Sequence, residues 1–188
     1  MKLFVTPESL REDSYALAQK FINDGFIPDF MVAIWRGGAP IGCHVHELIK
    51  YCGYDSDHIA IRTSRYIGID KTNDVITVHN LGYLIEKLNK TSKVILIDDV
   101  YDTGLSIKAV IETFKEKLGN NMPDDMRIGT IYFKPLRNRT NIIPNYFVHE
   151  SNEWIVFPHE LEGLSLDEIN KSMGPKIAEI VATTNTLK

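Results

Sequence analysis

The sequence predicts an α/β fold: a central, mainly parallel sheet flanked by helices. Three observations predict it. Apolar runs of strand length alternate with segments whose apolar residues recur every three or four positions. One run, Val94-Ile95-Leu96-Ile97, is apolar throughout, as a parallel strand covered on both faces must be. The chain has 188 residues, 44% of them apolar and 24% charged. A chain of that length buries roughly 70% of its unfolded surface, enough for a core without staples. Residues 1–188 are therefore expected to form one domain.

The elements follow in order. Thr6 and Pro7 read as N-cap and first residue of a helix carrying Leu10, Ser14, Leu17 and Phe21 at helical spacing, and Gly25 stops it. Phe30 to Ile34 is a strand closed by Arg36-Gly37-Gly38. From Pro40 a second helix places Ile41, Val45, Leu48, Ile49 and Cys52 on one face, with Gly53 at its end. Ile59 to Ile61 and Val75 to Val78 read as strands, and residues 62 to 74 between them as a polar, mobile surface loop. After Val94–Ile97 comes a helix with Ile107, Val110, Ile111, Phe114 and Leu118, ended by Gly119. Ile128 to Phe133, Tyr146 to Val148 and Trp154 to Phe157 supply further strands. Ser165-Leu166-Asp167-Glu168 is a capping box for a last helix, which Gly174-Pro175 breaks.

Charge narrows the function. Lys plus Arg is 21 against 25 for Asp plus Glu, a net −4, which argues against a dedicated nucleic-acid binder. A small phosphorylated ligand needs only a local field and stays open. No apolar stretch approaches the roughly 18 residues of a membrane helix, and Met1 to Pro7 lacks a signal-peptide core. Cys43 and Cys52 cannot pair closely along one helix; they read as small buried hydrophobes in a reducing cytoplasm. His44 and His46, two apart on a helix, face different directions and do not make a metal cluster.

The chemistry concentrates in Ile97-Asp98-Asp99-Val100-Tyr101-Asp102-Thr103-Gly104-Leu105-Ser106, between a buried strand and a helix, where open α/β sheets place their ligands. Thr103, Gly104 and Ser106 offer hydroxyls and approachable N–H groups at a helix start, a phosphate cradle favoured by the helix dipole. Asp98 and Asp99, at the strand's end, suit a sugar diol or a hydrated magnesium ion. Asp102 lies beside the cradle and suits a general base. The loop lacks the glycine and lysine spacing of a Walker nucleotide loop. Two plainer readings compete: a turn with a helix cap, and an acid-pair metal site of the phospho-acceptor receiver type.

The ten-residue pattern closely resembles the signature of the type I phosphoribosyltransferases, which bind 5-phosphoribosyl 1-diphosphate. The resemblance implies that Asp98 and Asp99 hold the ribose hydroxyls, directly or through metal, and that Thr103, Gly104, Leu105 and Ser106 anchor the 5′-phosphate. Trp35-Arg36-Gly37-Gly38 stands where that family places its diphosphate loop, with Arg36 and Gly37 as contacts and a cis peptide after Trp35. Residues 62 to 74 correspond to a flexible hood, with Ser64-Arg65-Tyr66 similar to its Ser-Tyr pair.

The segment from about 133 to 160 resembles the 6-oxopurine branch. Lys134 of Phe133-Lys134-Pro135 would reach the exocyclic oxygen, Trp154 would stack on the base and the Ile155 backbone would meet its edge. Glu160 would approach magnesium with Asp98 and Asp99; Lys134, Arg137 and Arg139 form a small basic cluster that reads as solvated loop charge, with a phosphate contact as the alternative. The implied function is a magnesium-dependent purine-salvage transfer to hypoxanthine, guanine or xanthine. The implied assembly is a homodimer or homotetramer, without nucleic acid or membrane. The alternatives are a non-catalytic sensor of the sugar diphosphate or a nucleotide, and a transferase for another base.

Overall fold

The structure, a computed structural model, describes residues 2–67 and 74–185. In chain order its elements are β1 (Lys2–Phe4), α1 (Pro7–Asn23), β2 (Phe30–Trp35), α2 (Gly38–Tyr51), β3 (Asp57–Ile67), β4 (Asp74–His79), α3 (Gly82–Lys87), β5 (Lys93–Tyr101), α4 (Leu105–Leu118), β6 (Asp125–Phe133), β7 (Tyr146–Glu150), β8 (Trp154–Val156), α5 (Leu166–Met173) and α6 (Pro175–Asn185). They fall into two compact units, residues 11–152 and residues 1–10 with 153–188.

The larger unit is a six-stranded sheet in the order β4-β3-β2-β5-β6-β7. Only the β3–β4 pair is antiparallel; every other ladder is parallel. β5 lies inside the sheet, and Val94 to Ile97 are wholly buried, as their uniform hydrophobicity demands. Val32, Ile34, Val94 and Leu96 pack with Ile107, Val110 and Phe114 of α4 and Leu84 of α3 in one cluster. From β2 the chain winds to β3 on one side, and from β5 to β6 on the other. The crevice at the carboxyl ends of β2 and β5 is thus the topological switch point, where such sheets hold ligands.

In the smaller unit β1 pairs in parallel with β8, setting Lys2 opposite Trp154 and Leu3 opposite Ile155. Ser165 and Glu168 form the expected capping box, and Gly174, at φ 93°, separates α5 from α6. Lys2 Nζ holds Glu168 at 2.7 Å. Phe4, Val5, Pro7, Val156, Phe157 and Met173 line a cavity of about 320 Å³ within this unit.

Four expectations are corrected. The 62–74 stretch is not a loop throughout: residues 62 to 67 continue β3 and Asp74 opens β4, while 68 to 73 lie outside the described residues. Polar residues such as Arg62 and Ser64 hid the pairing, because this end of β3 pairs with the edge strand β4 and carries no apolar run. Asp98 and Asp99 lie inside β5, which runs on to Tyr101 against β6. Cys43 and Cys52 are both exposed, because α2 buries the face of Ile41, Gly42, Val45 and Ile49 and has ended before Cys52. Two short elements, β1 and α3, carry too few residues to show a period and went unpredicted.

Candidate active site

The site begins where the sheet opens. The β2–β5 ladder ends at Ala33 opposite Ile97, so β5 continues without a neighbour on that side. The loop after β2 fills the gap. The Trp35–Arg36 peptide is cis, as the sequence resemblance implies. A Cβ on Gly37 would overlap the Asp99 carboxylate, and one on Gly38 would overlap the Ile97 carbonyl. Gly38 lets one backbone lie directly on another, and Gly37 lets the loop lie against the Asp99 carboxylate. Arg36 itself is exposed above them.

Asp98 and Asp99 follow each other along β5, Asp99 buried against Gly37. Asp99 N–H donates to Asp98 Oδ1 at 3.0 Å, and Val100 N–H to Asp99 Oδ1 at 2.7 Å. Burial, and behind it the charge of Asp99, push the Asp98 carboxyl well above the usual carboxylate range. Two adjacent hard-oxygen carboxyls, one of them raised by burial and by its neighbour's charge, suit a divalent cation shared with substrate oxygens. Among the described residues no three His, Cys, Asp or Glu side chains converge on one point.

The helix start lies alongside. Gly104, at φ 75°, precedes α4, which has no side-chain cap, so the N–H groups of its first turn are left for a ligand. A Cβ at Gly104 would run into the Tyr101 ring. The Tyr101 hydroxyl in turn meets Thr140 Oγ1 at 2.9 Å and donates to the Ile142 carbonyl at 3.0 Å. Tyr101 is thus a strut under the cradle that sequence reasoning missed, since a buried tyrosine leaves no periodic signal. Thr63, Ser64, Thr103 and Ser106 line a polar cavity of about 130 Å³ with Ile76 and Leu105. Ser64 Oγ meets His79 Nε2 at 2.8 Å.

Asp102 sits just before the cradle, 3.4 Å from Lys134 Nζ and 2.7 Å from Arg137 Nε. The Lys134 side chain is only 7% exposed against 30% for Asp102. Arg137 is therefore not merely a solvated loop charge: it sits on the carboxylate. Backbone bonds fix this arrangement, Lys134 N–H to the Tyr101 carbonyl at 2.9 Å and Arg139 N–H to the Thr103 carbonyl at 3.0 Å. The structure thus unites Arg36, Gly37, Asp98, Asp99 and Gly104 along two strand ends, and Asp102 with Lys134.

Trp154, Ile155 and Glu160 belong to the smaller unit. Trp154 is 62% exposed, so it is not a core residue, and Lys2 Nζ lies 5.9 Å from its ring centroid. Ile155 is buried. Glu160 Oε2 accepts the Phe157 N–H at 3.2 Å.

Comparison with known proteins decides the class. Residues 7–165 match the phosphoribosyl transferase domain. The chain belongs to that family. This phosphoribosyltransferase has the type I fold, and its solved relatives extend over most of its length. A purine phosphoribosyltransferase from Pyrococcus horikoshii is 26% identical, with a TM-score of 0.66 over 87% of this chain and 97% of that one. A Neisseria gonorrhoeae protein described as hypothetical, with bound ppGpp, is 20% identical, with a TM-score of 0.71 over 92% and 95%. Helicobacter pylori xanthine-guanine-hypoxanthine phosphoribosyltransferase is 18% identical, with a TM-score of 0.63 over 84% and 92%. No curated protein matches the sequence. Among the described residues no helix is long and apolar enough to cross a membrane.

Proposed function

We propose that this phosphoribosyltransferase moves the phosphoribosyl group of 5-phosphoribosyl 1-diphosphate onto a 6-oxopurine, releasing diphosphate and a nucleoside 5′-monophosphate. The observation that carries the proposal is the Asp102–Lys134 pair beside the Gly104 cradle. A lysine ammonium only donates hydrogen bonds, so it matches an exocyclic oxygen and opposes the amino group of adenine. The 26% identity to a purine phosphoribosyltransferase supports the same class of base.

In this reading Thr103 to Ser106 hold the 5′-phosphate at the start of α4, and Asp98 and Asp99 orient the ribose. Arg36 and the Gly37 backbone meet the diphosphate. Asp102 takes up the proton of the purine's imidazole ring as the other ring nitrogen attacks the anomeric carbon. Trp154 offers an exposed flat face for the base, and the Ile155 backbone its edge. Of the three acids the resemblance implies (Asp98, Asp99 and Glu160), the adjacent Asp98–Asp99 pair would hold magnesium, whose charge would stabilise the departing diphosphate. A homo-oligomer that binds neither nucleic acid nor membrane, in a reducing cytoplasm, completes the proposal; the free thiols of Cys43 and Cys52 accord with that compartment.

Incubation with the sugar diphosphate, magnesium and each base in turn, followed by absorbance, tests it. Turnover is expected with hypoxanthine, guanine or xanthine and not with adenine, orotate or uracil. Tight sugar-diphosphate binding without turnover on any base would overturn the proposal in favour of a sensor.

A further inference from the structure

Arg137 has no part in the function just proposed, yet it makes the shorter of the two ion pairs to Asp102. Its Nε lies 2.7 Å from Oδ1, while Lys134 Nζ lies 3.4 Å from Oδ2. The two cations differ in setting. Lys134 is nearly buried, and Arg137 is 56% exposed at the rim. Arg137 is nonetheless fixed at its backbone. It closes the short turn Pro135–Arg137, its N–H donating to the Lys134 carbonyl at 3.1 Å. Leu136 N–H is held by Asn152 Oδ1 at 3.2 Å.

The arrangement poses a conflict that Lys134 cannot resolve alone. A buried ammonium needs a partner, and here that partner is Asp102. To bind a base oxygen, Lys134 must loosen its hold on the carboxylate. Asp102 must meanwhile stay aimed at the base, although a carboxylate that loses its cation is free to turn. Asp102 Oδ1 is buried and makes no aligned hydrogen bond, so Arg137 is its neighbouring charge on that side.

We infer that Arg137 is a positioning residue: it anchors Asp102 through Oδ1, so that Lys134 can leave Oδ2 for the base oxygen without releasing the carboxylate. Arginine suits this role better than a second lysine, because its planar fork fixes direction as well as charge. The inference rests on the proposed roles of Asp102 and Lys134, and its test separates the two.

Arg137→Ala should lower kcat by about ten- to a hundredfold, the usual cost of a misplaced catalytic group. It should also raise KM for the base, because Lys134 then becomes the sole close cation on Asp102. KM for the sugar diphosphate should stay within about twofold, since residues 103 to 106 are untouched. Arg137→Lys should recover part of kcat. In the Lys134→Ala background, Arg137→Ala should no longer raise the base KM, giving a non-additive cycle. A residue that merely supports the fold would instead lower the melting temperature and move both KM values.

One readout needs no turnover. The Nε–H resonance of Arg137, assigned through Arg137→Lys, should shift on Asp102→Asn and hold its place in Lys134→Ala. Loss of wild-type turnover on every base would sink the proposed function and leave this measurement standing. An Nε–H signal indifferent to Asp102→Asn would overturn the inference, as would kcat and both KM values unchanged by Arg137→Ala.

Discussion

Two charged clusters lie at opposite ends of the same sheet, and they are built to different ends. At the amino ends of β6 and β7, Arg127 Nη1 meets Asp24 at 2.8 Å and its Nε meets Asp125 at 2.8 Å. It also donates to the Tyr146 hydroxyl and lies 4.2 Å from the Phe26 ring centroid. The Tyr146 hydroxyl in turn donates a hydrogen bond to Asp24 Oδ2 at 2.7 Å. Every charge has its counterpart, and the Asp125 bond, the largest cause, raises the guanidinium above even its usual range. At the carboxyl ends, two carboxyls stand in sequence on β5, and Lys134 has one distant partner. The Asp102 oxygen nearest Arg137 lacks an aligned hydrogen bond. Matched charge marks the stabilising end. Mismatched charge marks the end where substrate completes the set.

The sharpest way to test that contrast is to neutralise one acid at each end. Asp102→Asn keeps shape and removes the proton acceptor, so kcat should fall by about 10²- to 10⁴-fold, the range for general bases. Affinity for the sugar diphosphate should change little, and a single-turnover assay with parallel calorimetry would show both. Equal losses in the two quantities would remove Asp102 from the base role. A smaller but still large effect is expected at Gly37→Ala, whose Cβ would overlap Asp99. Overpacking of this kind typically costs about 1–3 kcal/mol. Here the cost should appear as weaker binding of inorganic diphosphate, measured by calorimetry, because the loop that must move is the one proposed to meet the diphosphate.

The same contrast explains what the sequence could reveal. The ten residues from Ile97 to Ser106 were legible because a parallel strand, a left-handed glycine and a helix start each impose local rules, and all three fell in register. Lys134 and Trp154 stand out only by likeness to known motifs; the structure buries the first and exposes the second. Arg137 was read only as loop charge, because a pairing 35 residues distant from Asp102 has no local trace. Gly38 looked like part of a turn, although its real constraint is the Ile97 carbonyl of another strand. The polar halves of β3 and β4 escaped for a related reason: with polar residues such as Arg62, Thr63 and Ser64 in the pairing, this hairpin shows no hydrophobic period. Local chemistry was readable; contacts between distant segments were not.

At the matched end the effects should be on stability alone. Arg127→Ala strands Asp125, leaves Asp24 with the Tyr146 hydroxyl alone, and removes the stacking on Phe26. A loss of about 1–2 kcal/mol is expected, consistent with hydrogen bonds to charged groups and one cation–π contact. Denaturant unfolding would measure it, with kcat for the folded fraction unchanged. A fall in kcat without loss of stability would mean that the two ends are coupled, and the division drawn here would fail.

The smallest expected effect is a dependence on acid. The Tyr146 hydroxyl, and then Arg127, hold the Asp24 carboxyl below its ordinary value of 3.8. A carboxyl lowered by folding contributes stability at pH values above its unfolded pKa, and that contribution is lost as pH falls through the folded value. The melting temperature of the wild type should therefore decline as pH drops below about 4, and Asp24→Asn should decline less steeply over the same window. Asp55 provides the control. Its carboxyl is lowered by Lys50, but its side chain is 97% exposed, where solvent and salt screen the pair. Asp55→Asn should leave the acid slope nearly unchanged, and added salt should erase whatever difference it makes. If both substitutions flatten the curve equally, the Arg127 cluster is no more than surface charge, and its matched geometry contributes nothing that an exposed pair does not.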